Sequence, residues 1–148
     1  MKKNLIVFLV ISFFSCQKKE ANKTDEVCSK DSVKEKKFEM YEMSEMASLM
    51  EQMYAHNQQL RARIMEGDTI GEFPKYFNNI HTATLTTASD KDAFFSENAI
   101  KFIAAQKVVY TETENVKENF NKSVDACVTC HLNKCGGPIP RIKKLYIK

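Results

Sequence analysis

Between Asp31-Ser32 and Gly67 the chain runs without a glycine or proline, in residues that favour helix. Inside this stretch Met43, Met46, Met50, Met53, Leu60 and Ile64 recur at spacings of three and four, and Asn57 fills the one polar slot. An apolar stripe of that period predicts an amphipathic helix ending at Gly67-Asp68. Three more helical stretches follow. Pro74 suits the first turn of a second helix that carries Tyr76, Phe77, Ile80, Ala83 and Leu85 inward before Ser89. A third begins after Ser89-Asp90, both suited to N-capping, with Phe94, Phe95, Ile100, Phe102, Ile103 and Val109 as core positions. A fourth runs from about Thr113 to Cys135 with Val116, Phe120, Val124 and Cys127 on one side, and Gly136-Gly137-Pro138 stops it. No segment alternates as a strand does. Four helices with short connections predict an all-α, antiparallel four-helix bundle.

Residues 1–30 follow a different pattern. Met1-Lys2-Lys3-Asn4 is basic and the run Leu5 to Phe14 is apolar, the layout of a secretory signal. The run is about half the ~20 residues that a membrane-spanning helix needs. Ser15-Cys16 then resembles a bacterial lipoprotein signal, in which Cys16 becomes the lipidated N-terminus. Phe13 and Phe14 depart from the leucine and small residue usual at those places. The alternative is an ordinary signal peptide that leaves Cys16 a plain thiol. Both readings export the chain, and the first anchors it by lipid to a membrane facing the periplasm. Residues 17–30 are polar and aperiodic, as in a flexible tether. The expected division is a signal at 1–15, a tether at 16–30 and a helical domain at 31–148.

Charge changes the picture little. The 22 basic residues stand against 19 acidic ones in 148, and removal of Lys2 and Lys3 leaves the mature chain nearly neutral. A nucleic-acid binder needs a concentrated basic face, which is not evident here. The five cysteines and seven methionines say more, because of where they fall.

Cys127-Val128-Thr129-Cys130-His131 is the attachment pattern for c-type haem. Thiols three residues apart on a helix share a face, so both can bond to the vinyl-derived carbons of one porphyrin. The adjacent histidine then offers a nitrogen to the iron. Two other chemistries compete for these residues. A redox-active C-x-x-C wants a strand-to-helix setting, which this chain does not offer. Zinc could recruit Cys127, Cys130, His131 and Cys135, but those ligands crowd along one predicted helix, whereas tetrahedral zinc needs converging directions.

The pentapeptide on the last of four helices resembles the class II cytochromes c, that is, the cytochromes c-prime and their low-spin, methionine-ligated relatives. The resemblance covers residues 32–135. In that family the first helix carries an axial-side residue, then a Met-x-x-His pair, then a closing glycine about a dozen residues on. Here Met53-Tyr54-Ala55-His56 is followed by Gly67, and Met50 stands three residues before Met53. The resemblance implies one covalent haem c on Cys127 and Cys130, His131 as proximal ligand and Met50 at the distal position. Met46 and Met53 are the alternatives, and at most one of Met40, Met43, Met46, Met50 and Met53 can bind the iron; methionine is also a common gap filler in helix seams. The chain departs from the family after the histidine, where Leu132-Asn133-Lys134 replaces an aromatic and an arginine. It departs again at Met46, where an arginine often meets a propionate. Arg61, Arg63 and Lys134 are then the candidate propionate partners. His56 and His81 are further candidate ligands, both read as outward-facing.

Cys28 and Cys135 remain. The start of helix one and the end of helix four lie at the same end of an up-down-up-down bundle, which suggests a Cys28–Cys135 disulfide. Closing so long a loop restrains the unfolded chain by ~4 kcal/mol on the entropy model. No acid, base or nucleophile constellation appears, so no enzyme activity is expected. The resulting expectation is a single-haem, extracytoplasmic electron-transfer protein with redox partner proteins. Its alternatives are a gas-binding cytochrome with an open sixth position and a haem-free zinc or disulfide module. The family also implies homodimers through helices one and two, for which the surface pattern gives no sign of its own.

Overall fold

A computed structural model of the protein describes residues 42–148. The signal at 1–15, lipidation of Cys16, the tether at 16–30, the Cys28 half of the disulfide and the part of helix one that holds Met40 lie outside the described residues. Among the described residues every regular element is helical, and the fold is all-α. None of those helices is long and apolar enough to cross a membrane.

Helix α1 spans Glu45–Glu66. The Ser44 hydroxyl caps it by accepting from the Ala47 N–H at 3.1 Å, which satisfies one of the free donors of the first turn. At its other end Gly67 adopts φ of 72°, and the Asp68 N–H bonds to the Arg63 carbonyl at 2.9 Å. That left-handed turn is open to glycine at little cost, so the sequence ends the helix where expected. The buried stripe is Met46, Leu49, Met53, Asn57, Leu60 and Ile64. It corrects the sequence seam at its start. Met43 precedes the helix and is 51% exposed, while Leu49 takes an inner position and Met50 sits half-buried beside it.

The expected second α-helix is instead a 3-10 turn over Lys75–His81, with a shorter one over Ala88–Asp90. The buried residues Phe77, Ile80 and Ala83 are spaced by three, the period of a 3-10 helix. The sequence between the two turns, Thr82-Ala83-Thr84-Leu85-Thr86-Thr87, is rich in β-branched residues that give an α-helix little support. This segment docks on α1 through the Met46 N–H to Thr84 carbonyl bond at 3.0 Å and the Glu45 carboxylate, which accepts from the Thr84 N–H at 2.9 Å.

Helix α2 spans Ala93–Thr111. Its cap is Asp92, whose side chain accepts from the Phe95 N–H at 2.8 Å, so Ser89 and Asp90 do not serve that role. Phe95, Phe102, Ile103 and Val109 are buried as expected, whereas Ile100 is 61% exposed. Helix α3 spans Val116–Lys134 and packs on α2 more extensively than any other pair of elements. The short connection at residues 112–115 makes the two an antiparallel hairpin.

Gly136-Gly137-Pro138 ends α3 but not the fold. A single turn, α4 at Ile139–Ile142, and a 3-10 turn at Lys143–Leu145 return along the helices. Ile142, Leu145 and Ile147 are buried against Leu60, Ile64, Val109, Phe120 and Val124. Asn121 fixes the segment by donating to the Ile147 carbonyl and accepting from the Ile147 N–H, both at 2.9 Å. Tyr146 donates to Asp125 at 2.6 Å.

The interior forms two apolar clusters. One holds Met46, Leu49, Met53, Phe77, Phe95 and Phe102; the other holds Leu60, Ile64, Val109, Phe120 and the C-terminal residues. Along α1 and α2 a polar layer falls between them. Gln106 Nε2 donates to Asn57 Oδ1 at 2.9 Å and to Ser123 Oγ at 3.2 Å, Asn57 Nδ2 donates to the Met53 carbonyl, and Ser123 donates to the Phe120 carbonyl. One atom of this layer, Gln106 Oε1, has no partner although the side chain is only 1% exposed.

Candidate functional site

Cys127, Cys130 and His131 lie in the last two turns of α3 and line one mostly apolar cavity of about 100 Å³. Met50 and Met53 reach the same cavity from α1, and Phe95, Ala99 and Phe102 line it from α2. The helical spacing of three puts Cys127 and Cys130 on one face, which is why both thiols meet the cavity. Both are free rather than bridged to each other.

The imidazole of His131 is buried and its Nδ1 lies 3.0 Å from the Cys135 carbonyl oxygen. A carbonyl can only accept, so Nδ1 donates this bond and Nε2 is the ring nitrogen left for another partner. The Cys135 Sγ sits 3.2 Å from the same nitrogen. A histidine whose one nitrogen is fixed by a carbonyl while the other stays basic is oriented as a metal ligand is.

Burial governs the thiols. It pushes Cys127 up to about 12, with Cys130 adding to the rise, and raises Cys130 and Cys135 as well. Thiol–disulfide exchange runs through the thiolate, which such an environment disfavours. Nor do three His, Cys, Asp or Glu side chains among the described residues group so as to hold a metal ion, which leaves the four-ligand zinc reading without its geometry.

The structure sorts the remaining candidates. Of the three methionines, Met50 and Met53 line the cavity, whereas Met46 is packed in the apolar core beside it. His81 is exposed, in keeping with its expected surface position. His56 is not outward-facing. It is half-buried, its Nε2 lies 2.9 Å from the Tyr110 hydroxyl, and its ring meets Phe77 edge-on at 5.3 Å. Burial and the nearby Arg63 both lower its proton affinity. Neither histidine lines the cavity. Of the proposed propionate partners, Arg61 donates to the Tyr146 carbonyl and Lys134 pairs with Asp92 at 2.6 Å, and neither they nor Arg63 line the cavity.

Several residues of the site carry no mark in the sequence pattern, and three of them form one cluster. Arg141, Glu51 and Tyr54 all line the cavity. Arg141 makes a two-point ion pair with Glu51, both contacts at 2.7 Å, and lies 4.1 Å from the centre of the Tyr54 ring. Glu51 and Tyr54 could have been flanked to the cavity from the helical period, since they follow Met50. Arg141 had no such signal, because it follows Gly136-Gly137-Pro138, where the last long helix stops.

The wall formed by Pro138, Arg141, Ile142 and Leu145 follows directly on Gly136-Gly137. Ligand pockets commonly measure roughly 300–1,000 Å³, so a planar macrocycle enters this cavity only where a wall yields. In donor chemistry the site supplies two neutral thiols, an oriented imidazole and two thioethers on apolar walls, a set that could hold haem iron. No family model matches the chain, and no curated protein or solved structure is significantly similar to it.

Proposed function

We propose that the protein is a single-haem c-type cytochrome that transfers electrons outside the cytoplasm, tethered to a membrane through Cys16. The observation that carries this reading is the meeting of Cys127, Cys130 and His131 with Met50 and Met53 on one apolar cavity. Residues 77 apart in sequence, Met50 and Cys127, have no other reason to share it than packing of α1 on α3. In this reading Cys127 and Cys130 hold the macrocycle by thioether bonds, and His131 offers Nε2 to the iron while the Cys135 carbonyl keeps its ring in place. Met50 or Met53 would offer a thioether to the iron. The haem supplies reversible one-electron chemistry; the apolar walls keep water from the iron and the thioether raises its potential. Among the described residues α1, α2 and α3 are the long helices, and the 3-10 turn at Lys75–His81 stands where the second helix of the expected bundle would fall.

The test is production of the full chain in a host that matures c-type cytochromes. The expected product carries the mass of one haem, loses it when Cys127 and Cys130 are both changed to alanine, and shows sharp alpha and beta bands when reduced. Broad high-spin bands instead would favour the gas-binding alternative, and a chain of unaltered mass without a Soret band would overturn the haem reading.

A further inference from the structure

The cavity has one cation in its lining, and it comes from the segment that the sequence reading passed over. Among the charged side chains that line it, Glu51 and Arg141 are paired with each other, and the Tyr54 ring lies against the guanidinium. Arg61 and Lys134 are engaged elsewhere, as described, and lie outside the lining. A guanidinium carries five N–H donors. Two of them are taken by Glu51, one on each terminal nitrogen, which leaves three for another acceptor. Stacking on Tyr54 holds the group flat and reduces the freedom lost when it binds a second carboxylate.

Such a group is matched to a carboxylate, which guanidinium binds with charge-assisted and often paired hydrogen bonds. Building on the haem reading above, we propose that Arg141 is the residue that binds a carboxylate substituent of the porphyrin held in this cavity, with Glu51 as the competing anion that positions it. The Glu51 carboxylate is held below its usual range by Arg141, so the pair stays charged at neutral pH.

The full chain, titrated before haem attachment with haemin and with haemin dimethyl ester, tests this on the unvaried sequence. Haemin should bind about tenfold more tightly than its ester, the difference worth one good charge-assisted contact. Arg141→Gln should abolish that preference, Arg141→Lys should keep part of it, and Glu51→Gln should widen it by removing the competitor. Equal affinity for acid and ester in the unvaried chain, or an undiminished preference in Arg141→Gln, would overturn the assignment. In the matured protein the propionate bending band in the resonance Raman spectrum should move in Arg141→Gln while the spin-state bands stay put; a fixed propionate band would overturn it there too. Failure of the haem reading looks different, since neither porphyrin would then bind and no covalent mass would appear.

Discussion

The Nδ1 of His131 lies 3.0 Å from the carbonyl oxygen of Cys135, four residues further along the chain. The same carbonyl belongs to the residue that closes α3, whose own N–H bonds back to the His131 carbonyl at 3.1 Å. Helix termination and histidine orientation are therefore one local event. The thiol of Cys135, also close to Nδ1, is not needed for it. Cys135→Ala should leave the Nδ1–H tautomer in place, as read by the nitrogen-15 shifts of the ring. A switch to the other tautomer would make the sulfur the true partner.

Met50 and Met53 both reach the cavity, and on the proposed haem reading spin state should tell them apart in the haem-loaded protein. Met50→Ala should convert the reduced spectrum from low-spin to high-spin, and Met53→Leu should leave it low-spin while costing some stability in the core. Reversal of the two results would assign the iron to Met53. Met46→Leu should leave the spectrum alone, because Met46 is core packing.

The polar layer should behave as one unit. Ser123→Ala removes one acceptor and should cost about 1 kcal/mol, whereas Gln106→Ala should cost about 2–4 kcal/mol by stranding buried groups on two other helices. In a double-mutant cycle with Asn57→Ala, denaturant unfolding should give a coupling energy of about 0.5–3 kcal/mol. Strict additivity would mean that the layer is a set of separate contacts.

His56 should make stability depend on pH. Its proton affinity is lowered in the fold from the usual value of 6.5, by burial and by Arg63. The unfolded chain therefore takes up a proton at a higher pH than the folded one. Stability from this residue is full above about 6.5 and falls as the pH drops below it. Thermal unfolding between pH 8 and 5 should show that loss, and His56→Gln should flatten it. Tyr110, pushed up to about 12 by burial and by Tyr76, works in the opposite direction. The fold holds its proton after the unfolded chain has released one, so stability should decline as the pH climbs past 10.

Leu145→Ala should destabilise the protein by about 2–5 kcal/mol, the usual cost of a large core truncation. A loss under about 0.5 kcal/mol in denaturant unfolding would place the C-terminal turns outside the cooperative core.

The sequence made the site more legible than the fold around it. The spacing of Cys127, Cys130 and His131 reads directly from the chain, and the three line one cavity. The α1 stripe was readable too, because one period persists from Met46 to Ile64, although its first turn was misplaced at Met43. Segment 75–90 misled because Phe77, Ile80 and Ala83 satisfy a three-residue period as well as a helical one, and only the threonines between the turns favour the tighter form. The C-terminal return was invisible for another reason. Ile139, Ile142, Leu145 and Ile147 follow no single period, since two short turns and an extended end carry them, and glycine-glycine-proline reads locally as an ending. Arg141 and its contact with Glu51 are tertiary facts with no local trace.

Along α1 and α2 the hydrogen-bonded layer of Asn57, Gln106 and Ser123 separates an upper apolar cluster from a lower one. Residues of the cavity reach across that layer, Tyr54 among them. Cys127 touches both clusters, and Ile142 and Leu145 belong to the lower one while lining the cavity above. Occupancy of the cavity would thus be reported to the far end of the protein through one cysteine and one wall. Hydrogen exchange in Leu60 and Val109, which belong to the lower cluster and do not line the cavity, becomes a gauge of whether that site is filled.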